Sequence, residues 1–186
     1  HEDFTLIEFC EGVGSAAIVK GKLYRNSLPI SGEIGHAPIY GNTRKCGCGA
    51  IGCLETLVSN KALLLSFSEV TGKANPCWEE LVNHINENGI EPWFDSILNH
   101  TADVIATAMN VLGIRKVVVV GSLVELGEFV IKTLERKITH GAMWARFGTV
   151  ECVSAPRRRI AGLVYAGIER LIAPVPVAKS DNTDLM

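Results

Sequence analysis

His36, Cys46, Cys48 and Cys53 are separated by nine, one and four residues. One imidazole and three thiolates complete a tetrahedral shell, and zinc suits that mixture of nitrogen and sulfur. A shell filled by protein leaves no open position for an activated water, so the chemistry to expect is structural and not hydrolytic. Gly47, Gly49 and Gly52 stand among the ligands, and glycine lets the backbone take the positive φ values needed to wrap a chain round one ion. The competing reading, three unrelated thiols beside a histidine, gives those glycines nothing to do. Structural zinc supplies about 10–16 kcal/mol of apparent binding energy in small peptides, and the loop is expected to collapse without it.

The elements that must carry this loop are legible on either side of it. Residues 4–9 are rich in β-formers, Gly12 and Gly14 mark a turn, residues 16–20 resume an extended pattern and Leu23-Tyr24 continue it after Gly21; this reads as a β-meander. Residues 27–45 hold Pro29, Gly32, Gly35, Pro38 and Gly41 and should be irregular. Residues 54–67 suit a helix with one buried face, and residues 78–86 suit a second that closes at Asn88-Gly89. Ile97, Val104, Ile105, Ala108, Met109 and Leu112 recur at helical spacing, predicting a long helix over 93–112 with Gly113 as its C-cap.

Residues 116–120 contain four consecutive valines, the run of a strand buried on both faces. Helix is expected over 125–140, with Phe129, Val130, Leu134 and Ile138 on its inner side, then strand over 149–153 and helix over 160–172. Alternating strand and helix implies a largely parallel sheet. The fold class is therefore α/β, a β-meander followed by alternating strands and helices, with a zinc-stabilised loop. Residues 1–174 form one lobe in this reading, and 175–186 a flexible tail.

With 186 residues, 47% of them hydrophobic, the chain can bury a sizeable core. Its net charge of −2 and pI of about 6.2 supply no positive field to hold nucleic acid by counterion release. The longest aliphatic run, residues 117–120, is far below the roughly 18 apolar residues of a membrane span. No secretory signal is legible, and six cysteines, three of them within eight positions, fit metal binding in a reducing cytoplasm better than a disulfide framework.

Gly32-Glu33-Ile34-Gly35-His36, then Cys46-Gly47-Cys48-Gly49, then Gly52-Cys53-Leu54-Glu55 together resemble the signature of the ROK family, which unites bacterial sugar kinases with sugar-responsive transcriptional repressors. The resemblance extends over essentially the whole chain. It implies an actin-like, two-lobed fold of the ribonuclease H type, of which this would be most of the C-terminal lobe, with the N-terminal lobe lying upstream. It further implies that Glu33, His36 and Glu55 contact sugar hydroxyls, and that the protein is a homo-oligomer. The side chains suit that role, since carboxylates accept hydroxyl hydrogen bonds and a metal-bound imidazole keeps one N–H to donate. Two ordinary readings stand beside it: Glu33 as a solvated loop charge, and Glu55 as an exposed acid stabilised by a helix N-terminus.

Within the resemblance, kinases cradle ATP phosphates on a glycine- and threonine-rich turn after the first strand of this lobe. Here the turn reads Cys10-Glu11-Gly12-Val13-Gly14, and Glu11 sets a negative charge where phosphate oxygens would come. The alternative is that Glu11 points to solvent while Gly12 and Gly14 still serve a phosphate. The second nucleotide-facing turn, which tends to consecutive glycines in the kinases, reads Gly121-Ser122-Leu123. Both departures favour the sugar-sensing domain of a transcriptional regulator, with DNA contacted only through an upstream domain and no catalytic residue to name in this chain. An ATP- and magnesium-dependent hexose kinase is the alternative, and a protein-binding module that has lost sugar affinity is a third. Arg157-Arg158-Arg159, the isolated histidines His84, His100 and His140, and the three tryptophans are given no functional role.

Overall fold

The computed structural model describes residues 3–24, 32–158 and 162. Among the described residues, five strands form one sheet in the order β3-β2-β1-β4-β5. β1 (Phe4–Phe9), β2 (Val13–Val19) and β3 (Lys22–Leu23) are the antiparallel meander; β4 (Lys116–Gly121) lies parallel to β1, and β5 (Glu151–Ser154) parallel to β4. The sheet is thus mixed, with its parallel half confined to β1, β4 and β5.

Strand periodicity decides which side chains are buried. Thr5, Ile7 and Phe9 alternate inward along β1, and in the parallel register Ile7 lies opposite Val119 and Phe9 opposite Gly121. Val117 and Val119 are fully buried, and Val120 on the other face is buried too. Val118 is only half-buried, so the cover over β4 is uneven. β2 begins at Val13 and takes in Gly14, leaving a turn of only three residues, 10–12, after β1.

Helices α1 (Glu55–Val58), α2 (Asn60–Thr71), α3 (Trp78–Asn88), α4 (Pro92–Leu112) and α5 (Glu128–Gly141) follow. α4 starts on Pro92, whose fixed φ suits a first helical position, and stops at Gly113, which has φ +68°. Phe94, Leu98, Ile105 and Met109 of α4 and Val130, Leu134 and Ile138 of α5 are sealed from water, and α5 packs against both α4 and β5. Each such side chain contributes about 1.5–3 kcal/mol by burial.

Three expectations need correction. The single helix over 54–67 is two, because Ser59 takes an extended conformation (φ −67°, ψ 162°) and its hydroxyl accepts from the Ala62 N–H at 3.4 Å; serine is worth more as a cap than inside a helix. A short 3-10 helix, Ser122–Leu126, intervenes between β4 and α5. Phe129, expected on the inner face of α5, is 39% exposed, since at about 100° per residue it falls outside the arc that Val130, Ile131, Leu134 and Ile138 turn to the core. The residues up to Pro156 form one unit, and a second begins at Arg157. The helix expected over 160–172 lies outside the described residues apart from Gly162, and the tail over 175–186 lies outside them entirely. No helix among the described residues is long and apolar enough to cross a membrane.

Candidate functional site

Residues 32–54 leave the sheet as an irregular loop that main-chain hydrogen bonds fold back on itself. Ile39 N–H donates to Gly52 C=O at 2.7 Å, Gly52 N–H to Arg44 C=O at 2.9 Å, Cys46 N–H to Ala50 C=O at 2.8 Å and Leu54 N–H to Ala37 C=O at 2.9 Å. Gly52 is required here: its φ is +88°, and a Cβ would stand 2.7 Å from Asn42 C=O. Gly49 also has positive φ, but Gly47 does not, so only two of the three interposed glycines serve the wrapping expected of them.

This folding gathers the four side chains expected to hold a metal. The donor atoms of His36, Cys46, Cys48 and Cys53 all lie within 4.8 Å of one another. His36 Nδ1 is 3.6 Å from Cys46 Sγ, and Cys48 Sγ is 3.7 Å from Cys53 Sγ. A disulfide needs about 2.05 Å. By contrast, a tetrahedral zinc with bonds of about 2.0–2.3 Å sets neighbouring nitrogen and sulfur ligands about 3.5–3.8 Å apart, and both spacings meet that requirement. Burial, with Cys46 and Cys48 close by, pushes the Cys53 thiol up to about 12. The Ala50 amide, followed by Cys46, holds Cys48 below its ordinary value.

His36 ends a 3-10 turn, Ile34–His36, whose Gly35 presses against the start of β2; a Cβ on Gly35 would stand 2.4 Å from Val13 C=O. With Nδ1 turned to the sulfurs, His36 Nε2 faces Glu33 Oε2 across 3.6 Å, too far for a direct hydrogen bond. Glu33 itself is exposed, and His36 half-buried. Glu55, in the first turn of α1, is differently placed. Its Oε2 accepts from the Val13 N–H at 3.0 Å, and its Oε1 is 4.0 Å from Cys46 Sγ. The carboxylate therefore joins the metal loop to the turn between β1 and β2, and is not the loose helix-terminal acid of the ordinary reading. A cleft of about 400 Å³ opens beside it, with Glu11, Cys46, Glu55, Lys61 and Leu65 in its walls; Glu33 and His36 are not among them.

Residues that spacing did not suggest hold the loop to the helices. Arg44 Nη1 donates to Thr56 C=O at 3.0 Å and to Ser66 Oγ at 3.1 Å, while Nη2 pairs with Glu69 at 2.8 Å. Asn42 Nδ2 donates to Cys53 C=O and to Thr56 Oγ1. On the glycine turn, Cys10 N–H donates to Gly12 C=O at 3.0 Å, and Glu11 Oε1 accepts from Asn60 Nδ2 at 3.3 Å. Glu11 is exposed yet held by α2.

Glycine-punctuated Cys/His loop, meander and parallel valine strand now stand together as one arrangement. A model of the ROK family matches residues 1–165. The chain belongs to the ROK family. Over 141 residues it is 26% identical to the xylose repressor of Bacillus subtilis (strain 168), a match spanning 75% of this chain and 36% of the repressor. Among solved structures it is similar to a ROK hexokinase from Thermus thermophilus (TM-score 0.73, 20% identity, 90% of this chain and 58% of that one). It is also similar to a ROK family transcriptional regulator homologous to the E. coli MLC protein (TM-score 0.66, 18% identity, 83% and 41%). At such identities the structural likenesses establish the fold alone. This ROK chain spans little more than a third of the curated repressor's length, and the family contains both repressors and sugar kinases.

Proposed function

We propose that this chain is the sugar-sensing lobe of a ROK-type transcriptional regulator, binding a hexose or related sugar beside a structural zinc site and needing no nucleotide. The observation that carries the reading is the state of the turn after β1. A phosphate cradle needs main-chain N–H groups free to point at the anion. Here Val13 N–H donates to the Glu55 carboxylate and Cys10 N–H to Gly12 C=O, with the Glu11 carboxylate beside them. Likeness in sequence to a xylose repressor over three quarters of the chain supports the same reading.

In this proposal His36, Cys46, Cys48 and Cys53 hold the zinc, which fixes the loop and the orientation of the imidazole. Glu33, His36 and Glu55 are the sugar-binding residues. His36 presents Nε2–H as a donor, Glu33 an exposed carboxylate 3.6 Å from it, and Glu55 the oxygen not engaged by Val13. A sensor responds by binding sugar better in one arrangement than in another. DNA contact and homo-oligomer formation belong, in this reading, to the longer cytoplasmic protein of which this lobe is a part. Zinc held by one imidazole and three reduced thiols fits that compartment.

The test is calorimetric titration of aldoses and N-acetyl sugars into the zinc-loaded chain, with and without MgATP. Saturable binding without nucleotide is expected, and Glu55→Gln should weaken it at least about tenfold with zinc content unchanged. Sugar-dependent conversion of ATP to ADP by the longer protein would replace the reading with that of an ATP- and magnesium-dependent sugar kinase.

A further inference from the structure

We infer that Asn60 closes the crevice at the ends of β1 and β4 to phosphate-bearing ligands, making it a specificity-determining residue. The inference rests on the nucleotide-independent reading given above. β1 and β4 are parallel neighbours with Phe9 opposite Gly121, so their carboxyl ends open on the same side. That is where α/β sheets receive phosphates. The ends are pressed close: Gly121 has φ +94°, and a Cβ there would stand 2.0 Å from Phe9 C=O.

Asn60 reaches both ends at once. Its main-chain N–H donates to Cys10 C=O at 2.9 Å, which fixes the start of α2 against the first turn. Its Nδ2 donates to Glu11 Oε1 at 3.3 Å, and its Oδ1 lies within hydrogen-bonding reach of the Ser122 hydroxyl. Ser122 is buried, and it shares its single proton between Asn60 Oδ1 and Phe9 C=O, the latter at 3.0 Å. One carboxamide thus bridges the turn after β1 and the residue after β4. An anion entering between them would have to displace it and then face Glu11. Glu11 alone is a weaker barrier, because an exposed side chain can swing into water; Asn60 is half-buried and anchored through its own main chain.

The experiment is calorimetric titration of inorganic tripolyphosphate into the zinc-loaded full chain and into Asn60→Ala and Glu11→Gln. Circular dichroism and zinc content serve as the check of folding, and Asn60→Ser replaces Asn60→Ala should the alanine variant not fold. The unmodified chain and Glu11→Gln should show no saturable binding, and Asn60→Ala should bind at least about tenfold more tightly than either. Binding by Glu11→Gln but not by Asn60→Ala, or by neither variant, would overturn the role of Asn60 and leave the nucleotide-independent reading standing. Binding of both tripolyphosphate and MgATP by the unmodified chain would overturn the closure and that reading together.

Discussion

Between Phe94 and Met109 of α4, Phe94, Leu98, Ala102, Ile105 and Met109 are at most 1% exposed. Between Gly32 and Cys53, Ile39 is the one aliphatic side chain of leucine size that is buried, at 9% exposure. The helical core is ordered by area removed from water, an effect that is non-directional and spread over many side chains. The loop has almost none of that area and is ordered by directional contacts: main-chain hydrogen bonds, the Asn42 and Arg44 side chains, and the convergence of His36 with Cys46, Cys48 and Cys53. A region held by area loses stability in proportion to the atoms removed. A region held by a few directional contacts loses stability according to which contact goes, most where several side chains converge on one point.

The sharpest way to break this contrast is Cys48→Ser. Cys48 is exposed, so the change removes no packing, only a thiolate from the shell. Loss of bound zinc by elemental analysis is expected, drawing on an apparent binding energy of about 10–16 kcal/mol in small structural sites. Amide exchange should accelerate over residues 44–54 while the amides of α4 and α5 keep their protection. Full zinc content with unchanged exchange would show that the four donors do not act as one site. The opposite perturbation is Leu134→Ala, at a fully buried position on α5. Global stability should drop by about 2–5 kcal/mol in urea titration, with zinc stoichiometry retained.

Arg44→Ala refines the comparison, because Arg44 holds the loop from its outer side without touching the metal donors. It makes two hydrogen bonds to Thr56 C=O and Ser66 Oγ and an ion pair with half-exposed Glu69. About 1–2 kcal/mol of loop stability should be lost, read as faster exchange over the same residues with zinc still bound. The effect should grow in the metal-free protein, where the loop leans more on Arg44, Asn42 and its other polar anchors. If the metal-free loop exchanges at the same rate with or without Arg44, the clamp carries nothing by itself.

The same division decides what the sequence made legible. β1, the valine strand and the long helix follow from periods of 2.0 and 3.6, because burial against one face imposes those periods on the chain itself. The cluster of His36 with Cys46, Cys48 and Cys53, which the structure brings together, was legible for a different reason: three of its members crowd into eight positions. Asn42, Arg44 and Asn60 carry no such mark, since their partners lie at separations of up to 62 residues and only the folded chain brings them together. Ser59 was visible as a residue type but read as helix interior; its capping role goes with the extended conformation it takes next to Asn60, whose N–H donates to Cys10 C=O. Glu55 could be singled out as a candidate acid, yet its bond to Val13, 42 residues away, could not be foreseen. Residues tied by long-range polar contacts form the class that local patterns cannot reveal.

Glu91 offers the smallest effect and shows the directional mode operating inside the core region. It precedes Pro92 at the start of α4, where its Oε2 accepts from Trp93 Nε1 at 3.0 Å and lies 2.7 Å from His84 Nε2. The Trp93 indole, then His84, hold its carboxyl below the usual range. A carboxylate whose folded pKa is depressed stabilises the fold fully above its unfolded value of about 4.3, and that contribution is lost as pH falls through the lower folded value. Glu91→Gln should therefore destabilise by about 1 kcal/mol at pH 7. The difference from the unmodified residue should shrink towards zero below about pH 4. Both proteins are compared in the Cys48→Ser background, so that acid release of metal from thiolates does not enter the difference. A gap that stays constant down to pH 3 would mean that Glu91 acts through the shape of its side chain and not through its charge.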